Sequence, residues 1–301
     1  MRISTSQIFQ QRLTALLDQQ AQLSKTEMQL ASGERMLSAA DDPAAALQKL
    51  KLGDRLAQTQ QYQKNLDTVV SRLGLEESAL SGAVNLLQRI RELGVQAVNS
   101  ALGPEDLKAI EVEVRENLDS LLQASNTRDA NGEYIFAGYR SDTEAFSHDG
   151  LGNFTYNGDQ GQRHLQVSQS RQIAVGDHGA SVFLGVPDAG GGQSSVFEIV
   201  YNFAEDLAAG ATDPDIMTNI DAALGRLLTS QAEVGSRQRS VADQRSINDS
   251  FSLLLEAEHS AVSDLDYTEA ISRFNKQLLA FQASQQVFSK VEGMSLFDYL
   301  R

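Results

Sequence analysis

The sequence contains no cysteine, which excludes disulfides and thiolate metal sites, although that alone does not fix a compartment. Tryptophan is also missing and aromatic residues make up only 6% of the chain. Nowhere do about eighteen apolar residues run together, so no segment reads as a bilayer span and no membrane insertion is expected. The opening MRISTSQIFQQR carries no apolar run of the secretory kind, so any passage out of the cell is expected to use another route.

Chemistry-bearing patterns are equally sparse. Of the four histidines, His148, His164 and His178 stand at unrelated spacings, and His259 has only carboxylates such as Glu256 within helical reach, as ordinary surface or half-buried histidines do. There is neither a Walker loop nor a G-x-G-x-x-G, and Gly190 to Gly192 follows a turn signal instead of opening a helix. Asp149, Asn153, Asn157 and Asp159 lack EF-hand spacing and its closing Glu. Asp41 and Asp42 form no acid-base pair, because helix capping accounts for Asp42. No catalytic residue, cofactor or metal ligand is nominated, and an enzyme is not expected.

What the chain does have is length, helical periodicity and negative charge. Its 301 residues are 41% hydrophobic, enough for two or three modest cores or one elongated body. The net charge is −15, yet residues 1 to 40 hold four basic and three acidic side chains and residues 262 to 301 hold four basic and five acidic. The acidic excess therefore sits in the middle, which repels phosphate backbones and argues against nucleic acid as a partner. The near-neutral ends suit packing against protein.

The organising stretch is Leu30 to Leu47, LASGERMLSAADDPAAAL. Upstream, Phe9, Leu16, Leu23 and Leu30 recur every seven residues with Leu13 on the same face, a narrow coiled-coil seam interrupted by Gln20 and Glu27. Gly33 suits a helix C-terminal cap that needs positive φ. Asp42 then reads as an N-cap and Pro43 as the first residue of a second helix. That helix is expected to run towards Gly103-Pro104 on a stripe of Leu66, Val70, Leu73, Leu80, Val84, Leu87 and Val98. Pro104 opens a third helix, with Glu105 and Asp106 favouring the positive end of its dipole. Asp213-Pro214-Asp215 repeats the start signal, and helical pattern then persists to about Val291, predicting one helix of about 115 Å that Gly225 and Gly235 could bend.

Between Tyr134 and Ser195 the texture changes, because this segment holds 11 of the 22 glycines. Leu165 and Val167, then Ile173 and Val175, alternate with polar residues, and Phe154-Thr155-Tyr156 precedes the turn signal Asn157-Gly158. Val182-Phe183-Leu184 is read as a last strand, and a short helix as spanning Phe197 to Leu207. At the C-terminal end Phe274, Leu278, Phe281 and Phe288 share a helical face with Ile271, and Met294 to Leu300, including Leu296 and Leu300, add a second apolar patch. Two seams at opposite ends of a chain invite pairing. Each could also be the core face of a bundle helix.

These residues resemble a known family. Ile3-Ser4-Thr5, Ala31 to Arg35 and Ser38 to Ala44 are similar to the N-terminal signature of bacterial flagellins and their relatives. Asn131 to Gly138, with Thr143 to Phe146, resembles the middle motif of the hook-associated branch of that family, found at the hook-filament junction. Ala232 to Arg237, Asp264 to Ala270 and Ser295 to Leu300 resemble its C-terminal half. Ser6 stands where many flagellins have Asn, and the tail lacks the usual flagellin ending.

The resemblance implies a mainly α fold with a small β-rich insert, elongated, whose N- and C-terminal helices pair as an antiparallel coiled coil. It implies an inner domain from residues 1–41 with 256–301, a helical bundle from 42–133 with 196–255, and an outer β-rich insert at 134–195. Function would be mechanical: a junction subunit that connects the hook to the filament and caps the hook-associated zone for flagellin assembly. Implied partners are further copies in a ring or helical layer, another hook-associated protein, flagellin, a cytoplasmic export chaperone and the flagellar type III exporter. The implied location is the extracellular flagellum, reached without a cleaved signal peptide. The implied assembly seam comprises Phe9, Leu16, Leu23, Leu30, Phe274, Leu278, Phe281, Phe288, Leu296 and Leu300. Filament flagellin itself, a cytoplasmic coiled-coil scaffold and a hydrolase with its site in the β-rich segment are the alternatives.

Overall fold

A computed structural model describes residues 2–98, 103–211 and 213–299, with the side chains of 2–6, 8 and 291–299 outside the description. In chain order the elements are α1 (Arg2–Ser32), α2 (Pro43–Ala97), α3 (Pro104–Ser125), β1 (Phe146–His148), β2 (Phe154–Tyr156), β3 (His164–Ser168), β4 (Arg171–Ala174), α4 (Gly179–Phe183), β5 (Val186–Pro187), β6 (Gln193–Ser194), α5 (Val196–Ala208), α6 (Ile216–Ser263) and α7 (Tyr267–Tyr299). The chain forms two compact units, Met1–Gln58 with Phe251–Arg301 and Thr59–Ser250, so the boundary falls within α2 and α6.

The helix ends follow the local chemistry. Gly33, at φ +72°, closes α1 and donates its N–H to the Gln29 carbonyl at 2.9 Å. Asp42 Oδ1 accepts from Ala45 N–H at 3.0 Å, and Pro43 leads α2. Asp106 Oδ2 accepts from Gly103 N–H at 2.9 Å ahead of α3. A full capping box starts α5, where Ser195 and Glu198 exchange side-chain to backbone hydrogen bonds of 2.7 and 3.0 Å.

The larger unit has one continuous core. Leu66, Val69, Leu73, Leu80, Leu87 and Ile90 of α2 meet Val114 and Leu121 of α3, Phe197 and Phe203 of α5, and Ile220, Leu227 and Val234 of α6. The stripe runs through Val69, while Val70 and Val98 are exposed. Val69 and Val70 sit about 100° apart on the helix, and Val69 is the one turned inward with Leu66 and Leu73.

The β-rich segment is built from three antiparallel ribbons, pairing Phe146 with Tyr156, Leu165 with Ile173 and Val186 with Ser194. It does not stand apart as a third core. Phe146 and Phe183 pack on Phe197 of α5, with ring centroids 4.9 and 5.4 Å away, so the segment completes the bundle's interior. A three-part division with 134–195 separate differs from the two units found, in which the rings of Phe146 and Phe183 share one core with the helices.

Two sequence expectations are corrected. Val182 and Phe183 lie on the short helix α4, not on a strand, and both are buried. A strand would turn one of two neighbours outward, whereas one helical turn, capped by His178 Nδ1 accepting from Ser181 N–H, points both inward. The expected single C-terminal helix is broken at Asp264 to Asp266 into α6 and α7. Gly225 and Gly235 lie within α6 and do not interrupt it.

Candidate assembly surface

In the smaller unit, α1 and α7 pair along their lengths. Phe9 meets Phe288 with tilted rings 5.5 Å apart between centroids, while Gly33 at the other end of α1 faces Tyr267 at the start of α7, so the helices run antiparallel. Leu16, Leu23, Leu30, Phe274, Leu278, Phe281 and Phe288 are all half-buried, and Phe9 remains 46% exposed. These eight predicted seam residues are thus brought to one helix pair. Leu296 and Leu300 lie outside the described side chains.

Half-burial is what a two-helix contact can achieve, because each helix has one neighbour and its flanks stay open. Leu13, Leu17 and Met28 of α1 and Ile271, Leu279 and Val287 of α7 are exposed, Leu279 at 66%. The buried apolar side chains described in this unit lie instead towards the connector: Met36, Ala45, Leu52, Leu255, Leu265 and Ala270.

The connector is fastened to the α6/α7 break by a short antiparallel bridge. Arg35 N–H donates to the Ser263 carbonyl at 2.8 Å and Leu265 N–H to the Gly33 carbonyl at 2.9 Å. Gln29, buried, sends Nε2 to the Arg35 carbonyl at 2.6 Å. Asp266 Oδ1 caps α7 by accepting from Thr268 and Glu269 N–H at 2.9 and 3.1 Å. The signal for this break was present as Asp266 three residues before Glu269, a capping pattern without a proline or glycine to mark it.

Charges order the same turn. Asp41 accepts from Lys25 Nζ and from the Leu37 and Ser38 N–H groups, and the lysine bond first, then the two amides, hold its carboxyl below the usual range. Asp264 is likewise held low by hydrogen bonds from Ser260 and then Ser263. Lys49 reaches Glu34 at 2.9 Å. Sequence reading gave Asp41 no role, although it ties the connector to α1.

The histidines have structural uses or lie exposed: His178 caps α4, His148 stacks near Phe154, and His164 Nδ1 lies 2.9 Å from the Gln162 carbonyl. Among the described residues no three His, Asp or Glu side chains group as metal ligands would, and no described helix is long and apolar enough to cross a membrane.

Comparison with known proteins gives the same organisation. The bacterial flagellin N-terminal helical region matches residues 3–141 and the C-terminal helical region residues 217–300. Flagellar hook-associated protein 3 of Escherichia coli K12 is 29% identical over 317 aligned residues, covering 99% of both chains. Flagellin of Bacillus subtilis 168 is 26% identical over 96% of each. The crystal structure of the flagellar junction protein of Legionella pneumophila has the same fold, with a TM-score of 0.63, 23% identity and coverage of 72% of this chain and 99% of that one. This chain belongs to the bacterial flagellin family, with end-to-end similarity to flagellar hook-associated protein 3.

Proposed function

We propose that this protein is a structural subunit of the bacterial flagellum that connects the hook to the filament. The observation that carries this reading is the α1/α7 pair, whose seam is half-buried while leucines and a methionine on its flanks stay open. A paired helix with apolar flanks is suited to stacking against like helices of neighbouring subunits. The assembly seam is Phe9, Leu16, Leu23, Leu30, Phe274, Leu278, Phe281 and Phe288, continued by Leu296 and Leu300. Its neighbours are further copies of this chain, a hook-associated protein on the hook side and flagellin on the filament side. A cytoplasmic chaperone and the flagellar type III exporter deliver it to the outside. The role is mechanical and involves no catalysis.

A fluorescently tagged copy tests this directly. One focus at the base of each filament is the expected result. Label spread along the filament would make the chain a filament flagellin, and label confined to the cytoplasm would make it an unexported scaffold.

A further inference from the structure

Within the larger unit, one buried carboxyl has no part in the assembly account. Glu76 of α2 is 2% exposed. Its Oε1 accepts from the Asp177 N–H at 3.0 Å, but its Oε2 is buried with no hydrogen-bond donor in reach among the described residues. Asp177 lies between β4 and α4, and its carboxylate is already engaged: Arg237 Nη2 of α6 reaches both oxygens at 2.8 and 2.7 Å, and Gln162 Nε2 reaches Oδ1 at 2.8 Å.

Among the charges on the surrounding elements, Arg237 Nη1 is itself buried without a hydrogen-bond partner and makes no bond to Oε2. On α6, Glu233 stands 3.7 Å from Arg237 and adds negative charge. On α2, Glu77 accepts from Gln238 Nε2. In the β4–α4 segment, His178 uses Nδ1 to cap its own helix. The one guanidinium of the cluster is thus bonded to Asp177, and Glu76 has no cation of its own. With both ionised the cluster holds an uncompensated negative charge, which burial penalises heavily; with one protonated it is neutral.

We propose that Glu76 is a neutral acid whose Oε2 hydroxyl donates to the Asp177 carboxylate, and that this proton latches the β4–α4 segment to α2 and α6. Ionising Glu76 leaves two carboxylates competing for Arg237 and frees residues 175–179 from the helices. Burial foremost, then the negative charge of Asp177, push Glu76 up to about 8, against the opposing pull of Arg237. Because the folded chain holds this proton more tightly than the unfolded chain, the stabilisation is complete below the ordinary value of 4.5 and is lost as pH rises to about 8.

The test uses the full chain with glutamate side-chain carboxyls labelled with carbon-13, followed by infrared spectroscopy and amide exchange between about pH 5.5 and 9.5. A protonated glutamate carbonyl band should persist at neutral pH, disappear with a midpoint near 8, and be missing from Glu76→Gln. Over the same range, exchange at residues 175–179 should quicken beyond its intrinsic base-catalysed rise in the parent and not in Glu76→Gln. The parent's folding constant should fall relative to Glu76→Gln by about tenfold per pH unit below that midpoint. Absence of the band at neutral pH, its survival in Glu76→Gln, or its titration without any change at 175–179 would overturn the latch. Should Glu76→Gln fail to fold, band and exchange in the parent decide the matter together.

Discussion

Gly33 lies under the hydroxyl of Tyr267, so closely that a Cβ on Gly33 would stand 2.8 Å from that oxygen. This is where the first long helix ends and the last one begins, at two positions 234 residues apart in the sequence. Backbone conformation matters here as well as space, since φ at Gly33 is +72°.

Gly33→Ala should cost about 1–2 kcal/mol, mostly from the left-handed backbone, because the tyrosine tip is the far end of a side chain that can swing away. Gly33→Asn should cost less, as asparagine tolerates that conformation. Thermal melting of the two variants separates the causes; equal losses would assign the requirement to the close approach of Tyr267.

Asp266→Ala should cost about 1 kcal/mol by uncapping α7. Amide exchange should quicken at Thr268 and Glu269, whose N–H groups Asp266 accepts, and remain unchanged in α3. Unchanged protection at those two amides would show that the bridge to Gly33 alone fixes the helix start.

Much of this was legible in the sequence because it was local. Gly33, Asp42-Pro43 and Gly103-Pro104 punctuate helices through chemistry confined to a few residues, and the alternation at Leu165 to Val175 marks a ribbon. The α6/α7 break carried only the faint local signal of Asp266 before Glu269, and the bridge that holds it pairs Asp264 with Glu34, which only folding brings together. The Glu76 cluster was hidden for the same reason: its members come from α2, a loop and α6. Seam residues were legible as a heptad, but their half-burial depended on there being two helices and not three.

Phe183→Ala should destabilise the larger unit by about 3–5 kcal/mol, because its ring is fully buried against Phe136, Phe146 and Phe197. Replacing residues 140–185 with a Gly/Ser linker should be worse, removing Phe146, Val167, Ile173 and Phe183 from the same core. Circular dichroism melting checks both. A linker variant with the parent's transition would show that the helices close their core without the insert.

Leu23→Asp places a charge in the half-buried seam, where a buried leucine contributes on the order of 1.5–3 kcal/mol. The loss should appear as reduced helicity in α1 and α7, with the main transition of the larger unit unmoved, because that unit has a core of its own. A shared downward shift of the whole melting curve would show that the two units unfold as one.

The central claim is that the exposed apolar flank of the α1/α7 pair serves assembly. Leu279→Asp tests it most directly, since Leu279 is 66% exposed and little stability of the single chain should rest on it. The deciding measurement is the ratio of unpolymerised flagellin in the medium to flagellin retained on cells that produce the variant. The account predicts a monomer that melts like the parent, few filaments and flagellin accumulating in the medium; normal filaments with the parent's ratio would contradict it.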